Sequence, residues 1–255
     1  MNELLKMTAH QVKEGKFDKV ILAIGSCEAH AQHLAVGCDT IVSYELSKQV
    51  ADRVPGMLVL PPITVGYSGH YDTFPFTLTF DYETMIHVIY DIVESVLRNG
   101  INKIFLMNGH DGNIAPIEIA ARKIKEKYPD ARIASLPEWW VIAGKLVPEG
   151  TFAVWNGLGH AGEGETSIAY HLFPQWCEPD QATCVVPDHL PEHVDIKWDF
   201  AEITDTAQTG DATVATAAKG KLMNDCLVEA VVKDIEALEK TGWNYNTSHC
   251  ATKLK

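Results

Sequence analysis

Residues 20–40 read VILAIGSCEAHAQHLAVGCDT, and the apolar run at their start predicts a buried strand of a parallel sheet. The loop after this run carries side chains of the types that bind metals, namely Glu28, His30 and Asp39. Glu28 and His30 are two residues apart, so in extended backbone they point the same way. Active sites of open α/β sheets lie where such strands end. A metal site is one interpretation of this loop, and an acidic surface loop that contains histidines is the other.

The composition limits the kinds of partner that the protein can have. The chain has 255 residues, of which 46% are hydrophobic and 22% charged, as in soluble globular proteins. Its net charge of −13 argues against nucleic acid and an anionic membrane, and it favours divalent cations. No apolar run is long enough to span a membrane, and the polar N-terminus does not resemble a secretory signal. Six cysteines without a CxxC pair predict free thiols, so we expect a cytoplasmic protein.

Apolar runs alternate with amphipathic segments along the chain. Strands are predicted at residues 18–24, 57–60, 103–107 and 131–136, with shorter candidates at 78–80 and 184–186. Helices are predicted at residues 3–15, 41–54, 82–98, 114–127, within 160–173, and at 212–238. Residues 141–159 contain several glycines and predict a loop. This order predicts an α/β fold, a single three-layer α/β/α domain over residues 1–255 with a mainly parallel central sheet.

Two further turns carry side chains that bind metals. NGHDGN, residues 108–113, directly follows a predicted strand and places His110 at the same end of the sheet as the first loop. HAGEGETS, residues 160–167, contains His160, Glu163 and Glu165. Each turn also has a simpler interpretation. The first is an Asn-Gly turn with an incidental histidine, and the glutamates of the second are favourable charges at a helix N-terminus.

A two-metal hydrolase needs hard carboxylates and neutral imidazoles, with one carboxylate bridging the metals. With Asp39 as the bridge, the available side chains make three ligands per metal: Glu28, His30, His110 and one of Glu163 or Glu165. Positions would remain for water and substrate, and metal-bound water becomes hydroxide near neutral pH. Residues 66–77, GYSGHYDTFPFT, add Ser68 and His70 as side chains that would line the pocket.

These turns together resemble the creatininase (creatinine amidohydrolase) family. The matching motifs are Gly-Ser-x-Glu-x-His-x-x-His-Leu at residues 25–34 with Asp39, Phe74-Pro75, Asn108-Gly109-His110, the His-Ala-Gly-Glu-x-Glu-Thr-Ser element at 160–167, and residues 210–220. They occur in the family's order between about residues 18 and 240. The resemblance implies an α/β domain with two divalent metal ions. Zinc and manganese are the first candidates, and iron is a third.

The resemblance also implies roles for individual residues. It places Glu28 and His110 on one metal and His30 on the other, with Asp39 as the bridge. It makes His160 the proton shuttle at the scissile C–N bond.

One ligand of the family pattern is missing from this chain. Creatinine-hydrolysing members have a Tyr-Glu pair in which the Glu binds metal, whereas this chain has Asp111-Gly112. The same members lack the first Glu of the His-Ala-Gly-Glu element. The resemblance therefore implies that Glu163 supplies the missing ligand, while Glu165 orients its neighbours.

The residues expected to bind the substrate are Ser68, His70, Asp111 and Trp155. Two departures from the family pattern lie nearby. Ala31 and Phe76 stand where the family has glycine, and Phe76 would narrow the pocket if its ring pointed inward. The Asp111-Gly112 pair also argues against creatinine itself as the substrate.

We therefore expect a metal-dependent amidohydrolase that cleaves a non-peptide or cyclic amide C–N bond of a small molecule by attack of a metal-bridging hydroxide. A formamide hydrolase and a peptidase-like member of the same family are the alternatives. A metal-containing protein that binds a small molecule without catalysis is an alternative from another class. The resemblance also implies a homo-oligomer, with the hexamer as the family's common assembly.

Overall fold

The structure is a computed structural model, and it describes residues 2–187, 193 and 197–244. The rest of the predicted domain, residues 1, 188–192, 194–196 and 245–255, lies outside the described residues. At the centre is a four-stranded parallel sheet of order β2-β1-β3-β4, formed by β1 Lys19–Ile24, β2 Met57–Val59, β3 Lys103–Asn108 and β4 Arg132–Leu136. Ile24 pairs with Asn108, so β1 and β3 end level with each other. The loops after these two strands therefore leave the sheet at the same edge.

Helices cover both faces of the sheet. The helices are α1 Ala9–Glu14, α2 Cys38–Arg53, α3 Tyr82–Arg98, α4 Ile114–Lys127, α5 Trp139–Leu146, α6 Glu163–Leu172 and α7 Ala217–Lys240. Successive strand residues point to opposite faces, so Ile21 packs in a core with α2, α5, α6 and α7. Val20 and Leu22 pack in a second core with α3 and α4. The predicted three-layer α/β/α arrangement with a mainly parallel sheet is confirmed.

The predicted loop at residues 141–159 was partly wrong, because α5 occupies the start of it. Its apolar sequence lacks a polar face, and Trp139 and Ala143 are fully buried. Gly144 suggested a turn, but it lies inside the helix. A Cβ at this position would lie 2.6 Å from the carbonyl oxygen of Asn156, so the glycine lets the following loop approach the helix.

Local capping explains two boundaries that differ from the predictions. The predicted helix at 3–15 is divided, because Thr8 forms a capping box with Gln11 and begins α1 there. The C-terminal helix begins at Ala217 rather than Ala212, because the Thr216 side chain caps it by accepting from the backbone N–H of Lys219. Residues 78–80 form only isolated bridges to Cys27 and Gly66.

A short antiparallel pair lies outside the main sheet, formed by β5 Cys184–Val185 and β6 Gly210–Asp211. The pair lies in the irregular segment between α6 and α7. Thr209, which directly precedes β6, contacts the functional site described below. Within the described residues, no helix combines the length and the apolar character that crossing a bilayer requires.

The contact between α6 and α7 depends on Gly220. A Cβ at this position would lie 1.8 Å from the carbonyl oxygen of Ser167, which is backbone and cannot move aside. We expect Gly220→Ala to lower the free energy of unfolding by about 3 kcal/mol, because one of the two helices must shift. Gly100→Ala is the control, since its added methyl group meets nothing within 4 Å and only the positive φ of 85° is strained. That control should cost about 1 kcal/mol. Urea denaturation of the two variants measures both effects, and equal losses would contradict the prediction.

Candidate metal centre

The loop after β1 and the turn after β3 meet at the carboxyl edge of the sheet. The N–H of Gly109 donates to the carbonyl oxygen of Ile24 at 2.7 Å, which joins the turn to the end of β1. A Cβ on Gly109 would lie 2.3 Å from the carbonyl oxygen of Asp39, so this glycine lets the first turn of α2 approach. Asp39 and His110 are thereby brought together from segments 71 residues apart in the chain.

Glu28, Asp39 and His110 form one group of ligand-type atoms, and all three side chains are buried. His110 Nδ1 lies 3.1 Å from Glu28 Oε1 and 3.2 Å from Asp39 Oδ2. The other ring nitrogen, Nε2, lies 2.8 Å from the carbonyl oxygen of Tyr67. A carbonyl only accepts, so Nε2 carries the proton and Nδ1 turns its lone pair toward the two carboxylates.

His30 forms a second group with the other oxygen of Asp39. His30 Nε2 lies 3.0 Å from Asp39 Oδ1, and His30 Nδ1 lies 3.2 Å from the carbonyl oxygen of Glu28. The proton is therefore on Nδ1, and the Nε2 lone pair faces the carboxylate. The two oxygens of Asp39 thus face two different imidazoles. Ser26 donates to Oδ2 of this carboxylate at 2.6 Å and holds its orientation.

These lone pairs face negative oxygens, an arrangement that requires a cation or a proton between them. Glu28 is fully buried, and neither of its carboxylate oxygens has a hydrogen-bond partner in the part of the chain that the structure describes. A buried carboxylate in this condition is costly unless a cation pairs with it. Carboxylate oxygens and imidazole nitrogens are the ligands that zinc and manganese accept. The residues present therefore fit divalent metal ions.

The pKa values agree with a centre in which buried groups of opposite charge face each other. Burial alone would lower the pKa of His30, but the Asp39 carboxylate outweighs it and raises this pKa to about 10. Burial alone would raise the pKa of Asp39, but His30 and His110 hold it well below its usual range. A proton on each imidazole takes the place that a metal ion takes when bound, so metal binding releases protons.

His160 comes from the loop before α6 and completes a third group with Glu28 and His30. Its backbone N–H donates to Thr209 Oγ1 at 2.9 Å, and its Nε2–H donates to the carbonyl oxygen of Ala29 at 2.8 Å. The Nδ1 lone pair then faces Glu28 Oε1 at 3.9 Å. Burial, followed by the charge of His30, lowers the pKa of His160 to about 3. The imidazole is thus neutral, and its Nδ1 faces the centre without a proton.

Glu163, which the resemblance makes a metal ligand, has its partners outside the centre. One oxygen of this buried carboxylate accepts from the backbone N–H groups of Ala153 and Val154 at 2.7 and 3.4 Å, and the other pairs with Lys219. Glu165 is the glutamate that borders the centre, because it lines the cavity above the centre and Glu163 does not. Its Oε2 accepts from the N–H of Ala161 at 2.7 Å. Burial raises the pKa of Glu165 to about 7, although His30 opposes this.

A cavity of about 260 Å³ opens above the centre, and we call it the inner cavity. Its lining includes Asp39, Tyr71, His110, Asp111, Trp140, His160 and Glu165. It adjoins a larger outer cavity whose lining includes His70, Tyr71, Asp111 and Trp155. Three of the four residues predicted to bind substrate therefore line a cavity. Their role in binding stays a prediction.

Ser68 is the exception, because it is not among the lining residues of either cavity, and its contact with the substrate stays a prediction. The side chain is fully buried, and its hydroxyl lies 3.4 Å from Nε2 of His110, on the side of the ring away from the two carboxylates. Ser68 therefore supports the orientation of His110. His33, three residues after His30, lies similarly behind the centre and contacts the Thr166 hydroxyl at 2.8 Å.

Both departures from the family's glycines fall at left-handed backbone positions. Ala31 has φ of 55°, and Phe76 also has φ of 55°, a conformation that glycine adopts at lower cost. Phe76 is 84% exposed, so its ring does not point inward, which was the condition for narrowing the pocket. Cys38 lies with His30 and Asp39 in a group of potential ligands, and burial raises the pKa of its thiol well above the usual value.

Some residues of the site could not be found from the sequence. Thr209 lies in an irregular segment, and only the fold brings it to His160. Lys219 is 56 residues from Glu163 and carries no local signal of this pairing. Trp140 belongs to a Trp-Trp pair, but most of its helix falls within residues 141–159, where the sequence predicts a loop.

The family profile described as "Creatininase: Creatinine amidohydrolase" matches residues 5–235 of this chain. The chain belongs to the creatininase family. Creatininase-family enzymes are hydrolases, so this chain belongs to a hydrolase family. A relative named creatinine amidohydrolase, from Pseudomonas putida, is 28% identical over 231 residues, which cover 85% of this chain and 88% of the relative. The mycofactocin precursor peptide peptidase of Mycobacterium ulcerans (strain Agy99) is 25% identical over 242 residues, covering 89% and 90%.

Solved structures of the creatininase family are similar over nearly their whole length. A structure named "Creatininase Mn" has a TM-score of 0.77 at 26% identity, with 92% of this chain and 98% of that chain covered. A putative creatinine amidohydrolase from Bacteroides fragilis NCTC 9343 has a TM-score of 0.82 at 25% identity, covering 96% and 97%. A mutant creatininase described as the Zn-Zn type has a TM-score of 0.76 at 27% identity, covering 92% and 97%.

Proposed function

We propose that this protein is a dinuclear metal-dependent hydrolase that cleaves a non-peptide or cyclic amide C–N bond. The observation that carries the proposal is the buried Glu28 carboxylate. Both of its oxygens lack hydrogen-bond partners in the described part of the chain, and it lies between His110 and the ring of His160. Such a group is stable only with a cation beside it.

The ligand set that the geometry supports has Asp39 as the bridge, because its two oxygens face different imidazoles. Glu28 and His110 would hold one metal, and His30 would hold the other. Glu165 is the carboxylate that borders the cavity and would complete the second position in place of Glu163. Zinc and manganese are the proposed metals, in agreement with the neighbours named "Creatininase Mn" and Zn-Zn type, and iron is the third candidate.

When bound, two divalent metals supply Lewis acidity, which polarises a carbonyl group and acidifies a water molecule. The protein's own contribution to the chemistry lies mainly in His160. Its Nε2–H is held by Ala29, so Nδ1 is the atom that accepts a proton and later returns it to the departing nitrogen. The ring of Tyr71 lies 4.6 Å from the ring of His160 and forms an apolar wall beside it. This wall limits the access of bulk water to the reacting atoms.

A peptidase-like activity is the second candidate, and the comparisons favour keeping it. Mycofactocin precursor peptide peptidases are similar to this chain at about the same identity as the creatinine amidohydrolase. The cleaved bond therefore needs a direct test. Metal-loaded protein should be assayed against creatinine, hydantoins, formamides and short peptides, with product amines quantified. We expect turnover of a non-peptide amide. Cleavage of peptides alone would support the second candidate, and no turnover at all would support a metal-containing binding protein without catalysis.

Metal binding should change the stability of the protein. We expect chelation to lower the thermal midpoint, and re-addition of Zn²⁺ or Mn²⁺ to restore it, because a cation compensates the buried carboxylates of Glu28 and Asp39. At 1,000 times the dissociation constant, one bound ion stabilises by about 4 kcal/mol. Differential scanning calorimetry with and without metal measures the shift. Mg²⁺, which prefers oxygen ligands, is the control and should shift the midpoint less.

The assembly and the location stay predictions. The described residues contain no helix that could cross a membrane, and this finding does not bear on the compartment. A homo-oligomer, with a hexamer as the first expectation, can be tested by light scattering.

A further inference from the structure

The inner cavity is smaller than a typical site for a drug-sized ligand. Its volume is about 260 Å³, whereas sites for drug-sized ligands occupy roughly 300–1,000 Å³. The outer cavity, of about 820 Å³, shares Tyr71 and Asp111 with it. The two cavities are therefore adjacent, with these two residues at their boundary. Part of a substrate placed at the metal centre would extend past Asp111 into the outer cavity.

Aromatic rings line much of the outer cavity. Tyr67 and Tyr82 are stacked with their ring centroids 3.6 Å apart, and the lining also includes Trp155, Trp198 and Phe200. Trp155 is 38% exposed, although a tryptophan side chain is stabilised by burial. Aromatic faces attract planar groups and cations.

The wall formed by Trp155 is held by an ion pair between the buried Glu163 and the partly exposed Lys219. Trp155 and Asn156 both have left-handed backbone, with φ of 46° and 55°, which is uncommon for residues other than glycine. The Glu163 carboxylate binds the two N–H groups just before this turn, at Ala153 and Val154, and it also pairs with Lys219 at the start of α7. Asn156 is fixed separately, because its side-chain amide donates to the carbonyl oxygen of Gly144 at 2.7 Å. The turn is thus anchored on both sides of Trp155.

The charge at the junction of the two cavities is negative. Asp111 is exposed, lines both cavities, and has no side-chain hydrogen bond or ion pair among residues 2–187, 193 and 197–244. Glu118, which also lines the outer cavity, accepts from Arg122 at 2.7 Å and is compensated. Lys197 lines the outer cavity only. A positive group would therefore bind most favourably next to Asp111, and the net charge of −13 would favour its approach.

We infer that the outer cavity is a binding site for a planar, positively charged substituent of the substrate, with Asp111 pairing with the charge and Trp155 contacting the ring. The proposal names a class of substrate for the proposed function. It rests on that function only in placing the scissile bond in the inner cavity. Glu163 is a positioning residue in this arrangement, because it acts through the turn that carries Trp155.

Binding of two isosteric probes tests the proposal without requiring turnover. The probes are 4-(trimethylammonio)benzyl alcohol and its neutral analogue 4-tert-butylbenzyl alcohol, titrated into metal-loaded protein by calorimetry and by tryptophan fluorescence. We expect the cationic probe to bind about 10-fold more tightly, as a cation beside aromatic rings and a carboxylate should. Asp111→Asn should remove this preference, and Trp155→Leu should weaken the binding of both probes. Glu163→Gln should weaken the binding of both probes and leave the metal content unchanged.

Asp130→Asn is the matched control. It removes the same charge from an exposed turn directly before β4, at the opposite edge of the sheet, and should leave the preference intact. Equal affinity for the two probes, or a preference that persists in Asp111→Asn, would overturn the proposal. The proposed hydrolase activity is tested separately by the turnover assay. Absence of turnover would contradict that activity and would leave the binding result unaffected.

Discussion

Glu28→Gln should abolish hydrolysis and remove the stabilisation that metal ions give. The substitution keeps the shape of the side chain, but it replaces a fully buried carboxylate, which faces His110 Nδ1 at 3.1 Å, with a neutral amide. The loss of the anion removes the main reason for a cation to bind beside His110. We expect turnover to fall at least about 1,000-fold, which corresponds to roughly 4 kcal/mol of lost transition-state stabilisation.

Metal analysis and calorimetry separate this effect from misfolding. After chelation, Glu28→Gln and the natural protein should unfold at similar temperatures, and added Zn²⁺ should stabilise only the natural protein. Glu163→Gln is the matched control, because it alters another fully buried glutamate that pairs with Lys219 instead of facing the centre. That control should keep its full metal content. A Glu28→Gln variant that binds metal like the natural protein would refute the assignment of the centre.

His160→Ala should reduce kcat by about 100- to 10,000-fold while metal binding is retained. The reason is that Nδ1 of His160 is the basic atom nearest to Glu28 that is not already paired with Asp39, and Ala29 fixes the ring. The reaction would lose the group that moves a proton between water and the departing nitrogen. Added imidazole should restore part of the activity if the role is proton transfer.

Metal content decides between the two roles open to His160. Its Nδ1 lies in a group of potential ligands with Glu28 and His30, so loss of one metal in His160→Ala would make it a ligand and not a proton carrier. His87→Ala is the control, since His87 is exposed on α3 and should affect neither metal content nor kcat. Retained activity in His160→Ala would contradict both roles.

The sequence identified most of the candidate ligands for a physical reason. Glu28, His30 and Asp39 belong to one loop after a strand, and His110 lies in a turn after another strand. Parallel strands end at one edge of a sheet, so local motifs suffice to predict that these side chains meet. The pattern could not show which oxygen faces which ring, because that depends on the hydrogen bond that the Tyr67 carbonyl accepts from His110 and on the one that Ser26 donates to Asp39.

The sequence could not decide which of Glu163 and Glu165 faces the centre. Both belong to the first turn of α6, and both are compatible with metal binding and with a favourable charge at a helix N-terminus. Two residues apart on a helix, they point about 200° apart around the axis, so only one can face the centre. Which one does so is decided by how α6 packs on α7, where Gly220 contacts Ser167 and Lys219 reaches Glu163.

The loop at residues 25–40 and the order of strands and helices were sufficient, from the sequence alone, to predict the α/β fold, the edge of the sheet that carries the site and a metal-binding chemistry. The tertiary structure alone decided that Asp39 faces two imidazoles, that Ser68 lies behind His110, and that Glu163 anchors the turn of Trp155. The physical reason is the distance along the chain over which each property is determined. Strand direction and ligand type are local properties, whereas the orientation of a buried side chain depends on partners distant in the chain.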